Sequence, residues 1–178
     1  MVSNFRPFVL GLVCAVFLAP AVCFPQQSSE QALTAHFQAG QQAMKSGQFE
    51  LAVAEFNKVL RLSPNLVEAQ VNLGLALHLL GQYGESLAVL AKAAQQKPEL
   101  VPANLFLGIG YLKLGSHQKA VAPLERVLRL EPTNREALRT LAACRLAEGD
   151  YRGAAREFQA LFALDRSSIW LNIRRHGK

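Results

Sequence analysis

The side chains of this sequence best suited to metal binding or nucleophilic catalysis are four histidines and one cysteine of the helical region. His36, His78, His117 and His176 are scattered, and none has a carboxylate or second ligand at the spacing of a metal site. We expect Cys144 to be a small packing residue between helices. The sequence contains no His-Glu-x-x-His, no Gly-x-Ser-x-Gly and no phosphate-binding glycine loop. We therefore predict no catalytic residue, no metal site and no cofactor.

The composition favours helices and gives a basic chain. The 178 residues are 51% hydrophobic, Leu and Ala dominate, and β-branched residues are few. There are 19 Lys and Arg against 13 Asp and Glu, with a pI of about 9.6. Basic and acidic residues alternate and are not gathered with aromatics on one helix face, so we predict no nucleic-acid partner. The basic excess lies towards the C-terminus, where it could attract anionic lipid or an acidic partner, or form an ordinary solvated face.

The N-terminal segment 1–24 has the pattern of a secretory signal peptide. Arg6 precedes an apolar run, at positions 8–19, that is too short to cross a bilayer core of about 30 Å. Two cleavage-like triplets follow, at 19–21 and 21–23. We predict cleavage near position 24 and an exported protein, periplasmic or secreted. The alternatives are an uncleaved leader that anchors the chain to the membrane and, third, lipid attachment at Cys23. Cleavage would leave Cys144 without a partner for an intramolecular disulfide.

An internal repeat with a constant period of about 34 residues organises the rest of the chain. It is carried by glycines at 47, 81, 115 and 149, by alanines at 35, 69, 103 and 137, and by prolines at 64, 98 and 132. A further set of small residues consists of Gly40, Gly74, Gly108 and Ala142. Within each unit two stretches with helical spacing of apolar residues flank the turn glycine, which can adopt the left-handed conformation that ends a helix. The small residues allow the two helices to approach closely.

This pattern predicts an all-α array of antiparallel helix pairs held together by packing. We place four units at 33–66, 67–100, 101–134 and 135–168, after a lead-in at 25–32. Ser167 and Ser168 are good N-caps, so the segment 169–178 is expected to form a short cap on unit four. Alternatively, Trp170 is an exposed anchor for a partner.

The units resemble the tetratricopeptide repeat, whose pattern is W-x₂-L-G-x₂-Y, A-x₃-F and P. Unit three carries Leu107-Gly108-x₂-Tyr111, Ala120-x₃-Leu124 and Pro132. The leading Trp is replaced in the four units by His36, Gln70, Asn104 and Leu138, and unit four has no proline. The resemblance covers about three quarters of the chain. It implies a right-handed α-solenoid in which the first helices of the units line a concave groove that binds protein or peptide clients.

Carried over to this chain, the resemblance places the following residues in the groove: Phe37, Gln41, Met44, Val71, Asn72, Leu75, His78, Leu105, Ile109, Leu112 and Arg139. Family members that grip a peptide carboxylate use Lys, Asn and Arg there. Here Asn72 matches, but Phe37, Pro102 and Phe106 take the place of such residues, so this clamp is not expected. An apolar groove suits an apolar or amphipathic segment. We therefore predict a non-catalytic interaction scaffold of the cell envelope or exterior, the alternative being a module that joins its own copies through the groove or the C-terminal end.

Overall fold

The computed structural model describes residues 25–176, with side chains from 29 to 166, so the predicted leader and its cysteines lie outside the described residues. This part contains eight helices and no strand. The helices are α1 (Pro25–Lys45), α2 (Phe49–Leu62), α3 (Val67–Leu79), α4 (Tyr83–Gln96), α5 (Val101–Lys113), α6 (His117–Leu130), α7 (Arg135–Ala147) and α8 (Tyr151–His176). Each helix packs on the next, and the prediction of an all-α solenoid is confirmed.

Each turn within a unit closes the first helix around a glycine. Gly81 has φ of 76°, a conformation that a side chain with Cβ resists. The amide of Gln82 donates to the carbonyl of Leu77 at 2.9 Å, and the amide of Gly81 donates to the carbonyl of His78 at 3.0 Å. This pair of bonds satisfies carbonyls that the helix end would otherwise leave free. The regular spacing of the glycines therefore reports four copies of one turn.

The two helices of a unit meet at the small residue of the first helix. A Cβ added at Gly74 would lie 2.5 Å from Leu90 Cγ, and one added at Gly108 would lie 2.4 Å from Leu124 Cγ. Leu90 and Leu124 are fully buried beneath these glycines. The expected close approach of paired helices is confirmed, and it explains why the first three units use Gly at this position.

Buried amides connect consecutive units at the position where the family pattern has Trp. The Gln70 side chain donates to the carbonyl of Pro64 at 2.9 Å, and the Asn104 side chain donates to the carbonyl of Pro98 at 2.8 Å. Asn104 also accepts from Arg126 at 3.1 Å. Because buried side-chain amides need hydrogen-bond partners, these bonds fix each first helix to the turn that precedes it.

The array is curved with its first helices inside. Helix α1 contacts α3, α3 contacts α5, and α5 contacts α7. Within residues 25–176, no Cα atom of the second helices α2, α4, α6 and α8 lies within 8 Å of a Cα atom of another second helix. Helices that touch on one side of a stack and separate on the other define a concave and a convex face. The first helices therefore line the concave face.

The C-terminal helix differs from the sequence-based expectation. Helix α8 runs without a break to His176, so Ser167 and Ser168 lie inside it and do not begin a new helix. The side chains of Trp170 and the rest of the predicted cap lie outside the described residues. One helix thus takes in both the second helix of unit four and most of the expected capping segment.

Candidate concave binding groove

The structure places all eleven predicted groove residues on the first helices. Nine are half-buried, as expected for side chains that pack on one side and face solvent on the other. The two exceptions, Gln41 on α1 and Arg139 on α7, are exposed. Because α1, α3, α5 and α7 contact one another in that order, side chains far apart in the sequence contribute to one face.

The centre of the groove is apolar and rests on the core. Val71 of α3 packs against the buried cluster of Leu87, Leu90 and Leu107. Leu105 and Leu112 of α5 pack against another cluster, which surrounds Leu124 and Leu141. Leu75 and Ile109, the central residues of the same two helices, are also half-buried. Side chains supported from below and open above can bury apolar area against a ligand at little entropic cost.

A depression lies at the N-terminal end of this face. It has a volume of about 400 Å³ and is bordered by residues of α1, by Leu66 and by Glu68 of α3. Phe37 forms part of its wall, and the ring packs edge-on against the buried Phe56 at 5.8 Å between centroids. Met44 lies on the same core cluster, farther along α1. A larger depression, about 520 Å³, is bordered, among the described residues, by the turn at 97–100.

His78 connects units two and three within the groove. Its ring packs edge-on against Tyr83 at 5.0 Å and against Phe106 at 5.2 Å between centroids. Burial, together with the positive charge of Lys113, lowers the pKa of His78 below its usual value. Its Nδ1 is buried without a hydrogen-bond partner. The ring is thus held as a neutral aromatic surface, and protonation would place a charge among apolar neighbours.

The C-terminal end of the groove is more polar. The Arg139 guanidinium donates to the Glu136 carboxylate at 2.8 Å, one turn away on the same helix. Both side chains are exposed, so this pair contributes little to stability. The apolar surface is therefore concentrated on units one to three.

The described residues show neither a metal centre nor an activated cysteine. No group of three His, Cys, Asp or Glu side chains between residues 29 and 166 could hold a metal ion. Cys144 is fully buried, and burial, followed by the negative charge of Glu148, raises the pKa of its thiol. A nucleophilic cysteine requires the opposite shift. No helix of the described part is long and apolar enough to span a membrane.

A charged cluster that the sequence analysis did not predict joins units three and four. The Arg145 guanidinium contacts Glu157 at 2.6 Å and Glu125 at 2.8 Å, and it lies 3.8 Å from Asp150. In units two and three the position of Arg145 is occupied by Leu77 and Tyr111. The repeat alignment therefore contained a sign of this cluster, because Arg145 is a charged residue at a position that is apolar in units two and three.

Comparison with known proteins supports the same fold and family. Three family models match the chain: a TPR repeat model at residues 40–81 and two tetratricopeptide repeat models at 67–100 and 111–174. No curated protein matches the sequence significantly.

Among solved structures, similar chains include a protein named MamA and a TPR domain. MamA 41-end from Desulfovibrio magneticus RS-1 is 26% identical with a TM-score of 0.71, over 82% of this chain and 90% of that one. A MamA RS-1 ArsTM double mutant is 24% identical with a TM-score of 0.74, over 81% and 86%. The first TPR of Spaghetti (RPAP3), solved bound to the HSP90 peptide SRMEEVD, is 23% identical with a TM-score of 0.64, over 67% and 94%. With matched repeats spread over residues 40–174, this chain belongs to the tetratricopeptide repeat family.

Proposed function

We propose that this chain is an exported, non-catalytic scaffold that binds an apolar or amphipathic segment of a client protein in its concave groove. Its fold is that of a protein-interaction module. The observation that carries the proposal is the run of half-buried apolar side chains on the central helices, at Val71, Leu75, Leu105, Ile109 and Leu112. Contiguous apolar surface that remains open to solvent is typical of an interface.

The groove favours a different ligand chemistry from that of the RPAP3 domain. The peptide bound to that domain, SRMEEVD, is rich in carboxylates and ends in one. Here the central helices present Leu and Ile, and the cation among the predicted groove residues, Arg139, already pairs with Glu136. A helix with apolar anchors at i, i+3 or i+4, and i+7 would satisfy these side chains better than an acidic tail.

The proposed location in the cell envelope or exterior follows from the N-terminal sequence. Its short apolar run and small-residue triplets are those of a signal peptide. In that compartment the client would be another exported protein or an exposed segment of an envelope protein. A retained leader would add membrane association.

The test is crosslinking capture from an envelope fraction with a Leu75→Glu/Ile109→Glu variant. A matched control is Leu51→Glu/Leu130→Glu, which adds the same two charges at exposed positions of the second helices α2 and α6. Both variants must retain the helical circular dichroism of the wild type. We expect one client to be captured by the wild type and the control but lost by the groove variant.

Two outcomes would contradict the proposal. Equal capture by the groove variant and the control would place the client elsewhere on the molecule. A mass that rises with concentration, measured by sedimentation velocity, and returns to that of the monomer in the groove variant would instead support the self-assembling module.

A further inference from the structure

Helix α8 exposes an apolar stripe along one side. The corresponding stripes of the other second helices, α2, α4 and α6, are covered. The stripe consists of Tyr151, Ala155, Phe158 and Phe162, and all four residues are exposed. Tyr151 is 72% exposed, Phe158 47% and Phe162 65%. At 100° per residue these positions fall within about 60° of the helix circumference. Large aromatic side chains gathered on one side of a helix are unusual on a free surface.

The repeat shows what normally covers this stripe. The residues at the same positions are Phe49, Val53, Phe56 and Leu60 on α2; Tyr83, Leu87, Leu90 and Ala94 on α4; and His117, Val121, Leu124 and Leu128 on α6. All twelve are buried or half-buried. Phe56, Leu90 and Leu124 pack against the glycine of their own unit, and α3, α5 and α7 pack on α2, α4 and α6 from the other side. Within the described residues no helix packs on α8 in the same way. The α8 stripe can therefore accept one further helix, packed as α3, α5 and α7 are on the second helices before them.

Helices α3, α5 and α7, which pack on the preceding second helices, share a buried sequence pattern. The same pattern defines the chemistry of a helix that would pack on α8. They carry Ala, then Leu four positions later, then a small residue three positions after that. These residues are Ala69, Leu73 and Ala76; Ala103, Leu107 and Gly110; and Ala137, Leu141 and Cys144, and all are buried. Space at the small position is limited: a Cβ added at Gly110 would already lie 3.0 Å from Leu87 of the preceding helix.

A second copy of the chain does not supply this core. On α1, the helix that would follow in a head-to-tail stack, the equivalent residues are Ala35, Ala39 and Gln42, and all three are exposed. Ala39 replaces the Leu anchor, and Gln42 is too large for the small position. This polar end matches the capping role of a terminal repeat.

Charge also disfavours pairing of α8 with itself. Arg152, Arg156 and Arg166 are exposed on one flank of the stripe, and none of them forms a salt bridge among the described side chains. The Arg166 guanidinium lies 6.0 Å from the centroid of the Phe162 ring. An antiparallel pair of α8 helices would place this cationic flank against itself. Acidic side chains on a partner would compensate it.

We propose that the α8 stripe docks an amphipathic helix of another protein that carries an Ala-x₃-Leu-x₂-small core and acidic residues along one edge. This site lies on the end of the solenoid and is separate from the groove. Packing of the partner helix against Phe158 and Phe162 supplies apolar burial, and the three guanidiniums select for an acidic edge.

The experiment is fluorescence anisotropy of a side-chain-constrained helical peptide with the full chain. The peptide forms about five helical turns and has an Ala-x₃-Leu-x₂-Ala core with Glu on the edges; a matched peptide has Lys in place of Glu. We expect the Glu peptide to bind at least about tenfold more tightly than the Lys peptide, with affinity that falls as salt is added. Phe162→Ser should weaken binding about tenfold or more, whereas Leu51→Ser, at a 48% exposed position of α2, should not.

Several results would contradict the proposal for the α8 stripe. No binding of the Glu peptide, or binding unaffected by Phe162→Ser, would overturn the proposal. Self-association of the chain alone that Phe162→Ser abolishes would assign the stripe to a second copy. Co-sedimentation with phosphatidylglycerol vesicles that Phe162→Ser abolishes, without peptide binding, would assign it to a membrane. The Leu75→Glu/Ile109→Glu variant should bind the peptide normally, so failure of the groove proposal would not affect this result.

Discussion

Replacement of Gly108 by Ala tests the packing that holds each helix pair together. The added Cβ would lie 2.4 Å from both Cγ and one Cδ atom of Leu124. Carbon atoms in contact prefer about 3.5 to 4.0 Å, so a displacement of about 1 Å is required. Leu124 is fully buried, and Cγ is the branch point of its side chain, so the side chain cannot simply swing aside. The clash must be absorbed by moving α5 away from α6.

The expected cost can be worked from two opposing effects. Overpacking in a well-packed core costs about 1 to 3 kcal/mol, and the severity of this contact puts it in the upper half of that range. Ala is favoured over Gly within a helix by about 1 kcal/mol. We therefore expect Gly108→Ala to lower the free energy of unfolding by about 1 to 2 kcal/mol.

A double-mutant cycle separates the clash from other effects. Leu124→Ala alone leaves a cavity and should cost about 2 to 5 kcal/mol. In Gly108→Ala/Leu124→Ala the clashing atoms are gone and the new methyl group partly fills the cavity. The double variant should therefore be more stable than the sum of the single changes predicts by the cost of the clash, about 2 to 3 kcal/mol. Urea unfolding followed by far-ultraviolet circular dichroism measures all four proteins, provided that the m-values agree.

Additivity within about 0.5 kcal/mol would refute this reasoning, as would a Gly108→Ala variant as stable as the wild type. Gly84→Ala provides a matched control, because Gly84 lies in helix α4 and a Cβ there meets no atom within 4 Å. It should be neutral or stabilising by up to about 1 kcal/mol.

Further predictions concern the charged and titratable side chains. The pKa of His78 is lower in the folded than in the unfolded chain, so near and below pH 6.5 the unfolded chain binds more protons. The free energy of unfolding should therefore fall as the pH decreases from about 7.5 to about 5.5. In urea unfolding, His78→Phe should reduce this dependence on pH. Arg145→Met leaves the buried Glu157 without its cation and should cost about 3 to 5 kcal/mol, with partial recovery in Arg145→Met/Glu157→Gln; equal stability of the two variants would contradict an ion pair there. Cys144 should react with a thiol reagent only at the rate of unfolding, and immediate reaction in the native protein would show that its burial is wrong.

The features that could be predicted from the sequence are those that recur within a unit. The glycine at the turn, such as Gly81, and the small residue opposite a Leu, such as Gly74 opposite Leu90, depend on contacts that are repeated from one unit to the next. Because the same contact recurs in each unit, the residues that it requires recur at a constant interval in the sequence. The fold class and the family followed from it and are confirmed. The placement of the groove residues on first helices followed from the same alignment, while their role in binding stays a prediction.

Other features were decided only in the tertiary structure. The Ser167-Ser168 pair predicted a new helix, yet α8 continues through it, since an N-cap contributes only about 1 kcal/mol and continuation of the helix keeps its backbone hydrogen bonds. Arg145 finds Glu125 and Glu157, which lie on other helices, only because α6, α7 and α8 stack. Whether an apolar residue is buried also depends on the next helix in space: Phe56 is covered by α3, whereas Phe158, at the same position of its unit, remains exposed. The sequence determines the pattern of each unit, but which copy of that pattern remains open to a partner depends on its place in the stack.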